Sequence, residues 1–191
     1  MCIRDRSIYN KALDLEPENG YSYLSRAGYY EKRGDTIAYN NEIRNALMNR
    51  RIDVDTKLSI FSTYIVGLMK KKQELNRVDS LFAEMLEQYP QEEPVHRLFG
   101  MYLSSRKDFS RAEEQYAIAA DLAPTNPENW LQLIGLYLYQ EKYAEVIRVG
   151  KRAIQYVPDQ KDIYMYVAVA SAQTKSCLLY TSPSPRDMRR S

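Results

Sequence analysis

Pro90, Pro124 and Pro158 are each separated by 34 residues, and each closes an amphipathic run: LFAEMLEQYP, YAIAADLAP and KRAIQYVP. A fixed period of this length is expected of a helix–turn–helix solenoid, in which each unit buries its apolar face against a similar neighbour. Apolar residues recur at helical spacing within each run, and the proline cannot continue the helix. The chain is therefore expected to be all-α.

Composition supports helices over strands. Seven Gly and eight Pro in 191 residues are too few for a turn-rich β protein. Seventeen Tyr against one Trp and four Phe suit helices whose rings pack with a polar edge near water. The formal charge of +2 lacks the clustered basic excess of a nucleic-acid binder, so no nucleic-acid partner is expected. No apolar run approaches the roughly 20 residues of a spanning helix, so no membrane insertion is expected.

The two ends read differently from the rest. Met1–Arg6 can be encoded by a stretch containing ATGTGTATAAGAGACA, and Cys177–Asp187 by one containing TGTCTCTTATACACAT. These are reverse complements, and they resemble the two strands of a transposase-type sequencing adapter translated in frame. Residues 1–6 and 177–191 are accordingly excluded from fold reasoning, with 177–191 expected to be disordered. Both cysteines, Cys2 and Cys177, fall there, which leaves no disulfide or thiolate site in between. The ends carry net charges of +1 and +2, so the remainder carries −1. The array is expected to be a fragment of a longer protein.

Between the ends, residues 7–176 divide into a half repeat at 7–17 and complete pairs at 20–51, 55–90, 93–124 and 127–158. A half repeat at 161–176 closes the array. Pro17 to Pro90 is 73 residues, five more than two periods, and the surplus is placed near Ile52–Thr56, lengthening the linker or the start of the next helix. Gly34 stands where a helix end favours a left-handed residue. An array without capping ends is expected to fray, or to self-associate through Tyr164, Val167, Ala168 and Ser171.

The spaced residues now support a resemblance. Trp130, Leu133, Tyr137, Ala153 and Pro158 match the pattern W-x2-L-G-x2-Y, A-x3-F, P of the tetratricopeptide repeat. The glycine is displaced to Gly135, and Val146 and Gly150 take the small and aromatic sites of the second helix. Phe99, Gly100, Leu103, Ala112, Tyr116, Ala119 and Pro124 fit one period earlier, with His96 at the Trp site. The pair near Gly20 fits through Tyr23, Ala27, Tyr30, Gly34, Ile43 and Ala46. The pair after Ser59 is weakest: Ile65, Val78, Phe82 and Pro90 fit, but Val66 and Met85 occupy its small sites. The chain thus resembles a bacterial tetratricopeptide protein, which implies a right-handed α-solenoid of four complete pairs plus a half repeat at each end.

Nothing here points to catalysis. The chain has no G-x-x-x-x-G-K-[ST], G-x-G-x-x-G, H-E-x-x-H, C-x-x-C or G-x-S-x-G. His96 is the only histidine and stands at a packing site. Glu92-Glu93 and Glu113-Glu114 lie in early helical turns, where acids complement the dipole. No enzyme activity, cofactor or metal is expected.

The resemblance implies that the first helices line a concave groove that binds a peptide or protein. Carried across, the groove positions are Tyr21, Leu24, Glu31, Lys32, Ile60, Thr63, Tyr64, Lys71, Arg97, Met101, Ser104, Leu131, Gln132, Tyr139 and Met165. Tyr, Met, Leu and Arg are residue types favoured at interfaces. The family's clamp for a C-terminal carboxylate uses Asn at sites held here by Gly28, Tyr64, Gly67 and Leu98, so that clamp is not expected. The leading expectation is an interaction scaffold in the cytoplasm, or in the periplasm or cell envelope. The alternatives are a regulatory segment of a DNA-binding or kinase protein, and a repeat region attached to a separate catalytic domain.

Overall fold

The computed structural model describes residues 20–70 and 76–181, with the backbone alone for 175–181, together with Lys11 and Leu15, which are helical. From Gly20 onward the described residues form nine helices and no strand. They are α1 (Gly20–Arg33), α2 (Thr36–Met48), α3 (Val54–Lys70), α4 (Asn76–Gln88) and α5 (Glu93–Ser105). Then follow α6 (Phe109–Leu122), α7 (Pro127–Tyr139), α8 (Tyr143–Tyr156) and α9 (Lys161–Thr181). The chain divides into two compact units, one ending at Pro90 and one beginning at Gln91.

Local chemistry sets most boundaries. Asp35 caps α2, accepting from the Ala38 N–H at 3.0 Å, and Asn126 caps α7, accepting from the Glu128 N–H at 3.1 Å. Pro94 and Pro127 sit in the first turns of α5 and α7, where a missing N–H costs nothing. Pro90, Pro124 and Pro158 each stand two residues beyond a helix end.

Three helix ends share one device. Gly34, Lys107 and Glu141 have φ of +72°, +63° and +57°. The N–H of each reaches back three residues (to Glu31, Ser104 and Leu138), and the following N–H reaches back five (to Tyr30, Leu103 and Tyr137). This is the Schellman arrangement, which satisfies two otherwise orphaned carbonyls.

In the first unit, α2 packs against α1, α3 and α4. Leu47, Phe61, Val78, Phe82 and Met85 are fully buried, and the Phe61 and Phe82 rings meet at 4.5 Å. The small sites assigned to the weakest pair hold only in part. Met85 is buried, but Val66 points outward and Ile65 packs inward in its place.

Of the two expected uses of the five surplus residues, the structure shows the lengthened start of the next helix. Ile52 is buried against Gly20, where a Cβ would stand 2.3 Å from Ile52 Cγ1. Asp53 accepts from the Thr56 N–H at 2.8 Å and so starts α3 a turn earlier than a standard repeat. That added turn carries Lys57, fully buried, whose Nζ donates to Tyr89 Oη at 2.7 Å and Gln88 Oε1 at 3.3 Å.

In the second unit, α5 packs on α6, α6 on α7, α7 on α8 and α9, and α8 on α9. Trp130 is buried, donates from Nε1 to the Pro124 carbonyl at 2.7 Å and stacks on Tyr156 at 6.0 Å. Buried Asn129 donates to the Ala119 and Ala123 carbonyls at 3.1 and 3.3 Å, closing the end of α6. His96 is buried, with Nδ1 2.9 Å from Gln115 Oε1, as its packing position implied.

Two expectations near the end change. The last helix runs through Thr181, five residues beyond the expected end of the array, since nothing before Pro183 interrupts helical backbone. Residues 182–191, and 1–10 at the other end, lie outside the described residues. The face expected to be bare is also partly covered. Gly150 leaves room for Val167, which would otherwise meet its Cβ at 2.3 Å, while Tyr164 and Ala168 remain exposed.

Candidate functional site

Cavities recur at one place in the repeat, between a first-to-second-helix turn and the next first helix. In the first unit, the turn after α1 and one side of α3 enclose about 510 Å³, lined by Glu31, Thr36, Tyr39, Thr63, Val66 and Lys70 among others. Tyr64 forms its floor and is buried, with its hydroxyl donating to Asn40 Oδ1 at 2.9 Å. Burial pushes the Tyr64 phenol above its ordinary range, with Arg77 opposing. Tyr39, whose ring lies 6.0 Å from that of Tyr64, is raised by burial and then by the Glu31 carboxylate. Gly34 and Gly67 line the same space, and neither would have a neighbour within 4 Å of an added Cβ.

In the second unit, a cavity of about 380 Å³ lies between the α5–α6 turn and α7. Phe109 and Tyr139 form an aromatic wall, their rings 5.3 Å apart and tilted by 59°. Ser104, Tyr116, Gln132 and Leu136 complete much of the lining, and Lys107 stands at the rim. Burial raises the Tyr116 phenol above its usual value, with the adjacent Ser104 hydroxyl opposing. Gly135 opens the middle of the wall, because a Cβ there meets nothing within 4 Å. A third cavity, of about 370 Å³, follows in the same unit between the α7–α8 turn and α9, lined by Glu141, Lys142, Tyr143, Ala144, Glu145 and Thr174. All three fall in the size range of ligand pockets.

The expected groove residues divide into three groups. Glu31, Thr63 and Tyr64 come together in the first cavity, and Ser104, Gln132 and Tyr139 in the second. Tyr64 is a floor residue rather than an exposed contact, because α3 turns its ring inward between α2 and Phe61. Tyr21, Lys32, Met101 and Met165 are exposed, and Leu24, Ile60, Arg97 and Leu131 are half-buried. These eight line none of the cavities; Arg97 is tied to Glu93 at 2.8 Å. Lys71 lies outside the described residues.

First-helix reasoning missed the turn side of each cavity: Gly34, Thr36 and Tyr39, then Lys107 and Phe109, then Glu141 to Glu145. The available signal was the 34-residue spacing of Lys107 to Glu141 and Phe109 to Tyr143. It places each turn beside the next first helix. Among the described residues, no group of three or more His, Cys, Asp or Glu could hold a metal ion. No described helix is long and apolar enough to cross a membrane.

No family model and no curated protein matches the chain. Solved structures do. The crystal structure of YrrB, a TPR protein with an unusual peptide-binding site, aligns with a TM-score of 0.51 at 19% identity, covering 87% of this chain and 81% of that one. That of MamA protein aligns with a TM-score of 0.56 at 11% identity, covering 83% and 84%. At such identities the likeness is one of architecture, and with the all-helical repeat pattern it shows that this chain has the tetratricopeptide-repeat fold.

Proposed function

We propose that the protein is an interaction scaffold that binds an extended peptide or protein segment along its first helices. The observation that carries this reading is the recurrence of a cavity at the same repeat position. Within the second unit, a ligand spanning both cavities gains contacts without either of them being deep. The second cavity has the chemistry of such a site. It combines an aromatic wall, the Gln132 amide, and an opening over Gly135 through which a ligand backbone can approach. Aromatic walls with a few polar groups are the usual composition of binding pockets. That YrrB has a peptide-binding site supports the reading by analogy of fold.

Gly135→Trp is the test. The added side chain starts in open space, and replacing a helical Gly with any ordinary residue favours the helix. The variant should keep the wild-type circular dichroism and melting temperature while losing the peptides that wild type selects from a random display library. Equal selection by both proteins would remove the second cavity from the function.

A further inference from the structure

Resting on that reading, the second unit says more about the segment it takes. Its two cavities are related by one repeat and differ in charge. In the second cavity Lys107 is the only ionisable group other than the phenols. In the third, Lys142 is paired with Glu113 and Glu145 with Arg148, which leaves Glu141. Lys107 and Glu141 occupy the same turn position, both exposed, and neither side chain has an ion-pair partner among the described residues. The rim therefore alternates from one free cation to one free anion across a single repeat.

The repeat also sets a distance. The helices α7 and α9, which carry the far walls of the two cavities, pack directly on each other. Directly packed helices have axes about 8–10 Å apart. A chain in the polyproline II conformation advances roughly 3.1 Å per residue with three residues per turn, so about three residues span that step and bring the side chain back to the same face. We propose that the bound segment presents two apolar side chains three residues apart, accompanied at the same interval by one acidic residue for Lys107 and one basic residue for Glu141.

The experiment titrates the full chain against labelled peptides by fluorescence anisotropy at low salt. The probes are Glu-Phe-Ser-Lys-Phe and Lys-Phe-Ser-Glu-Phe, with all-Glu and all-Lys counterparts, and a version with adjacent Phe residues. Exposed charge pairs contribute little each, so the better mixed-charge peptide should bind about two- to fivefold more tightly than either like-charged one. Glu141→Lys should shift the preference to the all-Glu peptide, and Lys107→Glu to the all-Lys peptide. Both preferences should fade in 1 M salt, where the Debye length is about 3 Å. If peptides bind and Gly135→Trp abolishes that binding, but charge and spacing make no difference, this inference fails and the binding surface stands. If no probe binds and the library also yields none, both fail.

Discussion

Gly100 and Tyr116 meet with no room between them: a Cβ on Gly100 would lie 2.6 Å from Tyr116 Cε1 and 2.7 Å from Cδ1. This contact holds α5 close to α6 and fixes the ring that lines the second cavity. A Tyr at this site needs the glycine opposite it.

Opposite signs are therefore expected from one substitution at two glycines. Gly100→Ala gains helix propensity of about 1 kcal/mol, but forces a buried ring to move, an overpacking cost of about 1–3 kcal/mol. It should be destabilising on balance. Gly135→Ala, one position past the equivalent site in the next repeat and in open space, should be stabilising by roughly 0.5–1 kcal/mol. Urea unfolding followed by Trp130 fluorescence reports both, since this lone, buried Trp lies in the same unit. A stabilised Gly100→Ala would show that the α5–α6 contact is slack.

The left-handed turn positions give a second test. Lys107 and Glu141 hold the conformation that Gly34 holds without strain. A non-glycine residue pays about 1–2 kcal/mol there, against which glycine loses about 0.5–1 kcal/mol of backbone entropy. Glu141→Gly and Lys107→Gly should each raise stability by up to about 1 kcal/mol, and Gly34→Ala should lower it by a similar amount. Thermal melts of the three variants check the pattern; a fall in melting temperature for Glu141→Gly contradicts it.

Asn129 serves the end of α6 from within the core. Asn129→Ala removes two hydrogen bonds and leaves a small cavity. Both carbonyls retain backbone donors, Ala123 N–H and Asn126 N–H, so the cost should be about 1–2 kcal/mol. Asn129→Asp should cost more at neutral pH, because it places a carboxylate against two carbonyl oxygens. Burial without a donor raises that carboxyl's folded-state pKa, so its penalty is absent below the unfolded value and grows as pH rises. Stability measured from pH 4 to pH 7 should show Asn129→Asp falling away from Asn129→Ala; parallel curves would mean that the side chain escapes to solvent.

Glu42 makes a related prediction in the first unit. It is buried between α1 and α2 and ion-paired with Arg26 at 2.7 Å, yet its pKa lies above the ordinary carboxylate value. Burial is the larger cause, and the Arg26 charge and hydrogen bond oppose it. The folded state therefore prefers the protonated acid. Its contribution is fully present below the unfolded pKa and is lost as pH rises through the folded one. Relative to Glu42→Gln, the wild type should lose stability as pH rises through and just above the ordinary carboxylate range. The opposite slope would mean that the Arg26 pair outweighs desolvation.

The repeat itself was legible in the sequence because its causes are local. A proline stops a helix wherever it falls, an Asp or Asn before an amphipathic run caps it, and apolar residues three and four apart share one face. Hence the period, the helix order, the packing roles of Trp130 and His96, and the place of the five surplus residues were all readable from one chain. What tertiary structure decided depends on which neighbour faces each residue. Tyr64 occupied an expected groove position, but only its seating between Phe61, Tyr39 and Asn40 turned it into a floor. Val66 occupied a small-residue site but faces outward. Gly135 reads in sequence as a displaced glycine, and only the absence of any atom near its Cβ makes it an opening. Likewise, Lys107 and Glu141 are surface charges in the sequence; the turn before each second helix places them at a cavity rim. A cavity is space left between elements distant in the chain, and no local propensity encodes the atoms that stay away.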